Sequence, residues 1–235
     1  MKIACLDGKP EIFRSYQGEG KCIGEERVFI RTSTCNLRCV FCDTKYTWDF
    51  DLYDPTTEII EMTPAEVAHY VTRFSCNRLV ITGGEPLLQQ PALAEMFSVL
   101  WAANGLYWCE VETNGTIMPV PEFDTWIQQY NVSPKTVNSG NGKFFRDKRP
   151  PMLFFANTIK SVFKFVIAHE TDMQDVYAIV SKYALPAYRV YLMAQASTPE
   201  ELAAREDIVR ALAESKGFLY TDRRHIREFG GKRGF

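Results

Sequence analysis

Strand-like and helix-like stretches alternate along most of this chain, and that alternation constrains the fold more than any other feature. VFIRT (28–32), RLVIT (78–82), LYWCEVET (106–113), VFKFVI (162–167) and YRVYLM (188–193) are short runs rich in β-branched and aromatic residues, as buried strands are. Helical stretches lie between them. Thr63-Pro64-Ala65-Glu66 is a capping box with proline at the first helical position, and Val67, Tyr70, Val71 and Phe74 then repeat at i, i+3, i+4 and i+7. Leu93, Phe97, Leu100 and Trp101 mark a second helix that stops at Asn104-Gly105. Met173, Val176, Tyr177 and Val180 mark a third, and Thr198-Pro199-Glu200-Glu201 opens the last long one. Strands separated by helices imply a parallel sheet. Residues 1–60 read mainly as loops, and 136–159, punctuated by Pro150-Pro151, as one long loop. No linker divides the chain, so residues 1–235 read as one α/β domain. A full eight-fold TIM-type barrel takes about 250 residues. A reduced, partial barrel of parallel strands with outer helices is therefore expected.

Composition then excludes several classes. At 46% hydrophobic and 24% charged the chain belongs with soluble globular proteins. No run approaches the roughly 18 apolar residues of a membrane span, and MKIACLDGKPEIF shows no apolar signal-peptide core. A net charge of −2 creates no global field for nucleic acid. Seven cysteines, an odd number without an export signal, point to reduced thiols in a cytoplasmic protein.

CNLRCVFCDT (35–44) packs three of those cysteines, Cys35, Cys39 and Cys42, into eight residues. Structural zinc takes four ligands, usually as two separated pairs. Here Cys5, Cys22, Cys76 and Cys109 stand alone, and His69, His169 and His225 form no zinc-type pair. Asn36, Arg38 and Asp43 make the loop too polar for buried hydrophobic cysteines. A four-iron cluster normally takes four thiolates. Three on one tight loop leave the fourth iron open, where a small molecule can be bound and reduced.

The C-x₃-C-x₂-C spacing, with Phe41 just before the third cysteine, resembles the radical S-adenosylmethionine (SAM) superfamily. Thr82-Gly83-Gly84-Glu85-Pro86 follows a strand where that superfamily carries a GGE(P) segment for the cofactor's amino group. Glu112-Thr113-Asn114-Gly115 closes the next strand in similar style. Taken alone, either is an ordinary turn. The resemblance implies that all three motifs converge on the carboxyl ends of the barrel strands. It also implies a [4Fe-4S] cluster on the three cysteines and SAM on the open iron, cleaved by one electron to a radical that abstracts hydrogen from the substrate.

Further motifs are similar to the 7-carboxy-7-deazaguanine synthase family almost end to end. They are IFRSYQGEGKCIGE (12–25), Arg31 four residues before Cys35, Asp43-Thr44, Tyr46-Thr47-Trp48-Asp49, Val132-Ser133-Pro134-Lys135 and the closing FGGKRGF. That family converts 6-carboxy-5,6,7,8-tetrahydropterin to 7-carboxy-7-deazaguanine with release of ammonia. The resemblance implies SAM contacts from Phe41, Cys42, Asp43, Gly84, Glu85, Ser133, Pro134 and Lys135, and a magnesium ion on Thr44. It implies substrate contacts from Tyr16, Gln17, Gly18, Arg31, Thr82, His225 and the terminal carboxylate of Phe235. Arg31 suits a carboxylate because guanidinium binds it with two parallel hydrogen bonds. Met193-Ala194-Gln195 and the bulky Phe235 depart from the family's Tyr-Leu-Gln and valine.

Two alternatives remain at this stage. A glycyl-radical activase shares the three cysteines but not QGEG, Ser133-Pro134-Lys135 or the tail. A zinc-stabilised nucleic-acid-binding module would use the same cysteines with Arg223, Arg224, Arg227, Lys232 and Arg233. The family resemblance also implies a homodimer and an electron donor such as flavodoxin or ferredoxin, with no nucleic-acid or membrane partner.

Overall fold

The apolar runs pair as the alternation demands. The computed structural model describes residues 1–235, the side chain of Asn104 apart. In chain order the N-terminal region holds β1 (Lys2–Leu6), β2 (Lys9–Pro10), β3 (Ile12–Tyr16) and β4 (Glu26–Thr32), then α1 (Pro55–Glu58) and β5 (Ile59–Glu61). Next come α2 (Pro64–Val71), β6 (Arg78–Gly83), α3 (Gln90–Asn104), β7 (Trp108–Thr113), α4 (Pro121–Asp124) and β8 (Gln129–Val132). The chain continues through α5 (Lys143–Arg146), α6 (Arg149–Asn157), β9 (Ser161–Ile167), α7 (Met173–Tyr183) and β10 (Val190–Ala194). It ends with α8 (Pro199–Ser215), β11 (Leu219–Thr221) and α9 (Arg224–Phe229).

Seven strands run parallel in the order β4-β6-β7-β8-β9-β10-β11, and among the described residues the first and last of these do not pair with each other. The sheet is thus an open, partial barrel. Strand parity divides it into two faces. Leu79, Ile81, Cys109, Val111, Tyr130, Val132, Phe163 and Phe165 join the apolar layer that also takes Val67 and Val71 of α2 and Leu93, Phe97 and Leu100 of α3. The alternate residues Glu110, Glu112, Gln129, Asn131 and Lys164 are outside that layer and supply polar groups to the concave side.

Three expectations are corrected. Residues 1–60 are not mainly loop: β1, β2, β3 and β5 add an antiparallel extension beside β4. These strands are only two to five residues long, so no long apolar run announces them. Residues 136–159 are not one loop but contain α5 and α6. Pro150-Pro151 lies in the first turn of α6, where a missing N–H breaks no helical bond, and Phe155 behind it packs edge-on against Tyr130 at 5.2 Å. Trp101 is 56% exposed; Met96 takes the buried place on α3 that the spacing gave it. β8 escaped notice because its Gln129 and Asn131 point polar groups inward.

Candidate active site

The cysteine loop leaves the carboxyl end of β4 through a forced turn. Thr34 adopts φ 74, a left-handed conformation that a β-branched residue rarely holds. Its N–H donates to the Thr47 carbonyl at 2.6 Å, and its own carbonyl accepts from the Glu85 N–H at 2.9 Å. Each thiol of the loop then meets a nitrogen donor. The Leu37 N–H reaches Cys35 Sγ at 3.4 Å, Asn141 Nδ2 reaches Cys39 Sγ at 3.2 Å, and Trp48 Nε1 reaches Cys42 Sγ at 3.3 Å. Hydrogen bonds to sulfur are what tune thiolates that hold iron–sulfur clusters. Burial pushes the Cys35 thiol up to about 12 and raises that of Cys39, so an incoming metal must displace both protons. Among the described residues no three His, Cys, Asp or Glu side chains gather to hold one ion.

Gly83 and Gly84 let the end of β6 press against this loop. Gly83 has φ +131, and a Cβ there would overlap the Thr32 backbone; one on Gly84 would overlap the Thr34 carbonyl. Glu85 turns inward and is fully buried. Its carboxylate accepts from the Leu87 N–H at 3.1 Å, Thr113 Oγ1 at 2.8 Å and the Asn114 N–H at 2.7 Å. Burial lifts its pKa to about 6 against those donors. Glu85 thus ties the end of β6 to the end of β7. Asn114 passes the link on, donating to Asn36 Oδ1 at 2.9 Å in the cysteine loop.

The carboxyl ends of the parallel strands enclose a cavity of about 490 Å³, within the usual range for small-molecule sites. It brings together Cys35, Cys39, Phe41, Cys42, Asp43, Thr44, Gly84, Ser133 and Lys135 with Tyr16, Gln17, Gly18, Arg31, Thr82, His225 and Phe235. Of the residues singled out from sequence, Glu85 and Pro134 lie behind this wall. Lys135 Nζ donates to Ser133 Oγ at 2.9 Å, and Thr44 Oγ1 lies 3.5 Å from Cys42 Sγ. Thr82 Oγ1 donates to Glu112 at 2.8 Å, and Gln17 Nε2 donates to Glu110 at 3.0 Å. Arg31 Nε donates to Glu11 at 2.7 Å, which leaves its two terminal nitrogens without a hydrogen-bond partner among the described residues. A Cβ on Gly18 would run into the His225 ring. Phe235 stacks on Phe229 with centroids 5.2 Å apart.

Sequence reasoning missed the cluster of paired charges that also lines the cavity. Glu19 pairs with Lys164 and, at 3.0 Å, with Arg223 Nε; Arg223 also pairs with Asp43. Burial pushes the Glu19 carboxyl up, but Lys164 and Arg223 outweigh it and hold it well below the usual range. His225 stands 3.6 Å from Glu19, and burial lowers its pKa. The one available signal was Lys164 itself, a charge inside the apolar run VFKFVI.

The basic residues that a nucleic-acid module would need are mostly engaged. Arg223 is buried, Arg224 pairs with Glu228, Arg227 with Glu206 and Asp222, and Arg233 with Glu11 and Glu58. That reading is therefore set aside.

The Radical SAM superfamily model matches residues 29–148. A 7-carboxy-7-deazaguanine synthase from Pyrobaculum aerophilum is 38% identical over 95% of this chain and 95% of that one. One from Rhodopirellula baltica is 33% identical over 95% of this chain and 87% of its own length. The crystal structure of QueE from Escherichia coli superposes with a TM-score of 0.67 at 21% identity, covering 91% of this chain and 92% of that chain. At that identity the likeness speaks for the fold alone.

Proposed function

The chain belongs to the 7-carboxy-7-deazaguanine synthase family of the radical SAM superfamily, and from that premise we propose how its residues divide the work. The reaction is the ring contraction of 6-carboxy-5,6,7,8-tetrahydropterin to 7-carboxy-7-deazaguanine with release of ammonia. When bound, the [4Fe-4S] cluster and SAM supply the radical that takes a hydrogen atom from the substrate. The observation that carries this reading is one cavity that brings three thiols with N–H donors together with buried, paired charges.

Cys35, Cys39 and Cys42 would hold the cluster. SAM would lie along Phe41, Cys42, Asp43, Gly84, Ser133 and Lys135, with Glu85 and Pro134 shaping the wall behind it. Arg31, oriented through Nε by Glu11, has two nitrogens without a hydrogen-bond partner among the described residues, and these would take the substrate carboxylate. Gln17, Gly18 and Thr82 offer hydrogen-bonding groups to the pterin edge, and Tyr16, His225 and Phe235 close the cavity around it. Thr44 would give magnesium one oxygen beside Cys42. A one-electron donor such as flavodoxin or ferredoxin, a homodimer and a cytoplasmic location complete the proposal. No helix among the described residues is long and apolar enough to cross a membrane.

The test is anaerobic turnover of the carboxylated pterin by the reconstituted protein, with mass detection. A product lighter than the substrate by one ammonia is expected. SAM cleavage without that product would overturn the substrate assignment.

A further inference from the structure

The cluster must be filled with electrons from outside, and the protein surface near its cysteines is not neutral. Cys39 is buried, yet the next residue, Val40, is 62% exposed. Val40 is seated against residues 139–141: its N–H donates to the Ser139 carbonyl at 3.0 Å, and Asn141 Nδ2 reaches Cys39 Sγ at 3.2 Å. The chain then runs directly into α5, where Phe144 is 77% and Phe145 58% exposed, their rings 5.4 Å apart. Two adjacent phenylalanines in solvent, a few residues beyond the segment that seats an exposed valine, are apolar surface that folding does not explain.

Cations flank the two phenylalanines along the chain. Lys143, Lys148 and Arg149 form no ion pair among the described residues, and Lys148 Nζ sits 4.1 Å over the Phe144 ring. The lone acid of this stretch, Asp147, is already tied to Lys182 and Tyr183. A chain whose net charge is −2 thus carries three cations without an ion pair in the segment that follows the contact with Cys39.

We propose that Val40, Phe144, Phe145 and the cations Lys143, Lys148 and Arg149 form the docking face for a small acidic one-electron carrier protein. This rests on the functional reading above and names where the electron enters. The chemistry fits: an apolar centre excludes water, a cationic rim draws an acidic partner, and weak electron-transfer contacts need only a small area. One electron passes from the reduced carrier to the oxidised cluster, leaving the carrier oxidised by one electron; no bond is made or broken.

The experiment compares two reductants on the reconstituted enzyme. Pre-reduced flavodoxin is the protein probe, and dithionite is the small-molecule control. Lys143→Glu/Lys148→Glu/Arg149→Glu is expected to raise the KM for flavodoxin at least about tenfold at low salt, with the difference shrinking toward about 0.5 M salt. Phe144→Ala/Phe145→Ala is expected to raise it without changing the salt dependence. Dithionite-driven turnover is expected to stay within about twofold of wild type in both variants. An unchanged flavodoxin KM in both overturns the proposal, as does an equal loss with dithionite. A shift in sedimentation with an unchanged flavodoxin KM overturns it too, because the face is then a contact between copies of this chain. Failure of the functional reading is separately visible, since wild type would then yield no deazaguanine even with dithionite.

Discussion

Replacing Lys164 by methionine keeps the length of the side chain and removes one charge from the buried cluster. Lys164 and Glu19 are 6% and 8% exposed. In the variant, Glu19 keeps Arg223 as its single strong cation, and Arg223 is already shared with Asp43. Breaking a buried pair from one side costs about 3–5 kcal/mol, because an under-compensated charge is left behind. For a chain of this size each kcal/mol moves Tm by roughly 2–4 °C, so the apo-protein is expected to melt about 6–20 °C lower. The double change Lys164→Met/Glu19→Gln removes the stranded charge as well and is expected to restore part of the loss.

The loss has a pH signature. Glu19 is held below its usual value in the folded protein, so its contribution is present above the unfolded pKa of about 4.3 and fades as pH falls through the folded value. Lys164 is raised despite burial, chiefly by Glu19, so its contribution is present below about 10.4 and fades at higher pH. The gap between wild type and Lys164→Met is therefore full between about pH 5 and pH 10 and narrows on either side. Thermal unfolding followed by circular dichroism from pH 3.5 to 10.5 reads this directly. A Tm loss under about 2 °C at pH 7, or a gap that does not shrink at pH 3.5, would refute the reasoning.

Cys35→Ala, Cys39→Ala and Cys42→Ala are each expected to abolish iron binding and turnover, measured by iron content and visible absorbance, whereas Cys76→Ala leaves both intact. Thr44→Val is expected to slow turnover and remove its stimulation by added magnesium while SAM cleavage persists; undiminished magnesium dependence would place the ion elsewhere. Arg31→Lys keeps the charge but loses the two-pronged geometry, so the KM for the pterin is expected to rise about tenfold or more with iron content unchanged.

The parallel strands from β6 onward were legible wherever both inward and outward residues were apolar, as in RLVIT, where Val80 is as buried as Leu79 and Ile81. Legibility failed at β8, which is only four residues long and has a polar inward face. β8 reads QYNV because Gln129 and Asn131 both donate to Glu110, at 3.0 and 2.9 Å, a partner that is distant in sequence. The thiols, the glycine pair and Arg31 were visible because each lies in a short local motif. Glu19, Lys164 and Arg223 were not grouped because their spacing along the chain carries no pattern; only the closing of the sheet brings them together.

The antiparallel N-terminal extension shows the same dependence on distance and explains why the sequence spends strands there at all. It delivers Glu11, 3% exposed, beneath the cavity residues Arg31, Tyr46 and Arg233. One oxygen of its carboxylate accepts from Arg31 Nε at 2.7 Å and the Tyr46 hydroxyl at 3.2 Å. The other accepts from Arg233 at 3.1 Å, across a sequence separation of 222 residues. Arg233 is further fixed by Glu58 at 2.8 Å and the Cys5 carbonyl at 2.6 Å, and it lies 3.5 Å over the Tyr46 ring. A single buried carboxylate thus orients both the cation proposed to bind the substrate and the tail that carries Phe235 to the cavity. Were Glu11 absent, Arg31 would have three free nitrogens and no fixed direction, and the guanidinium of Arg233 would lose one of its two acids. Because such a group acts through geometry rather than contact with substrate, its removal is a positioning defect. It belongs with the fold's second function: to hold the tail and a long arginine in one arrangement before the substrate arrives.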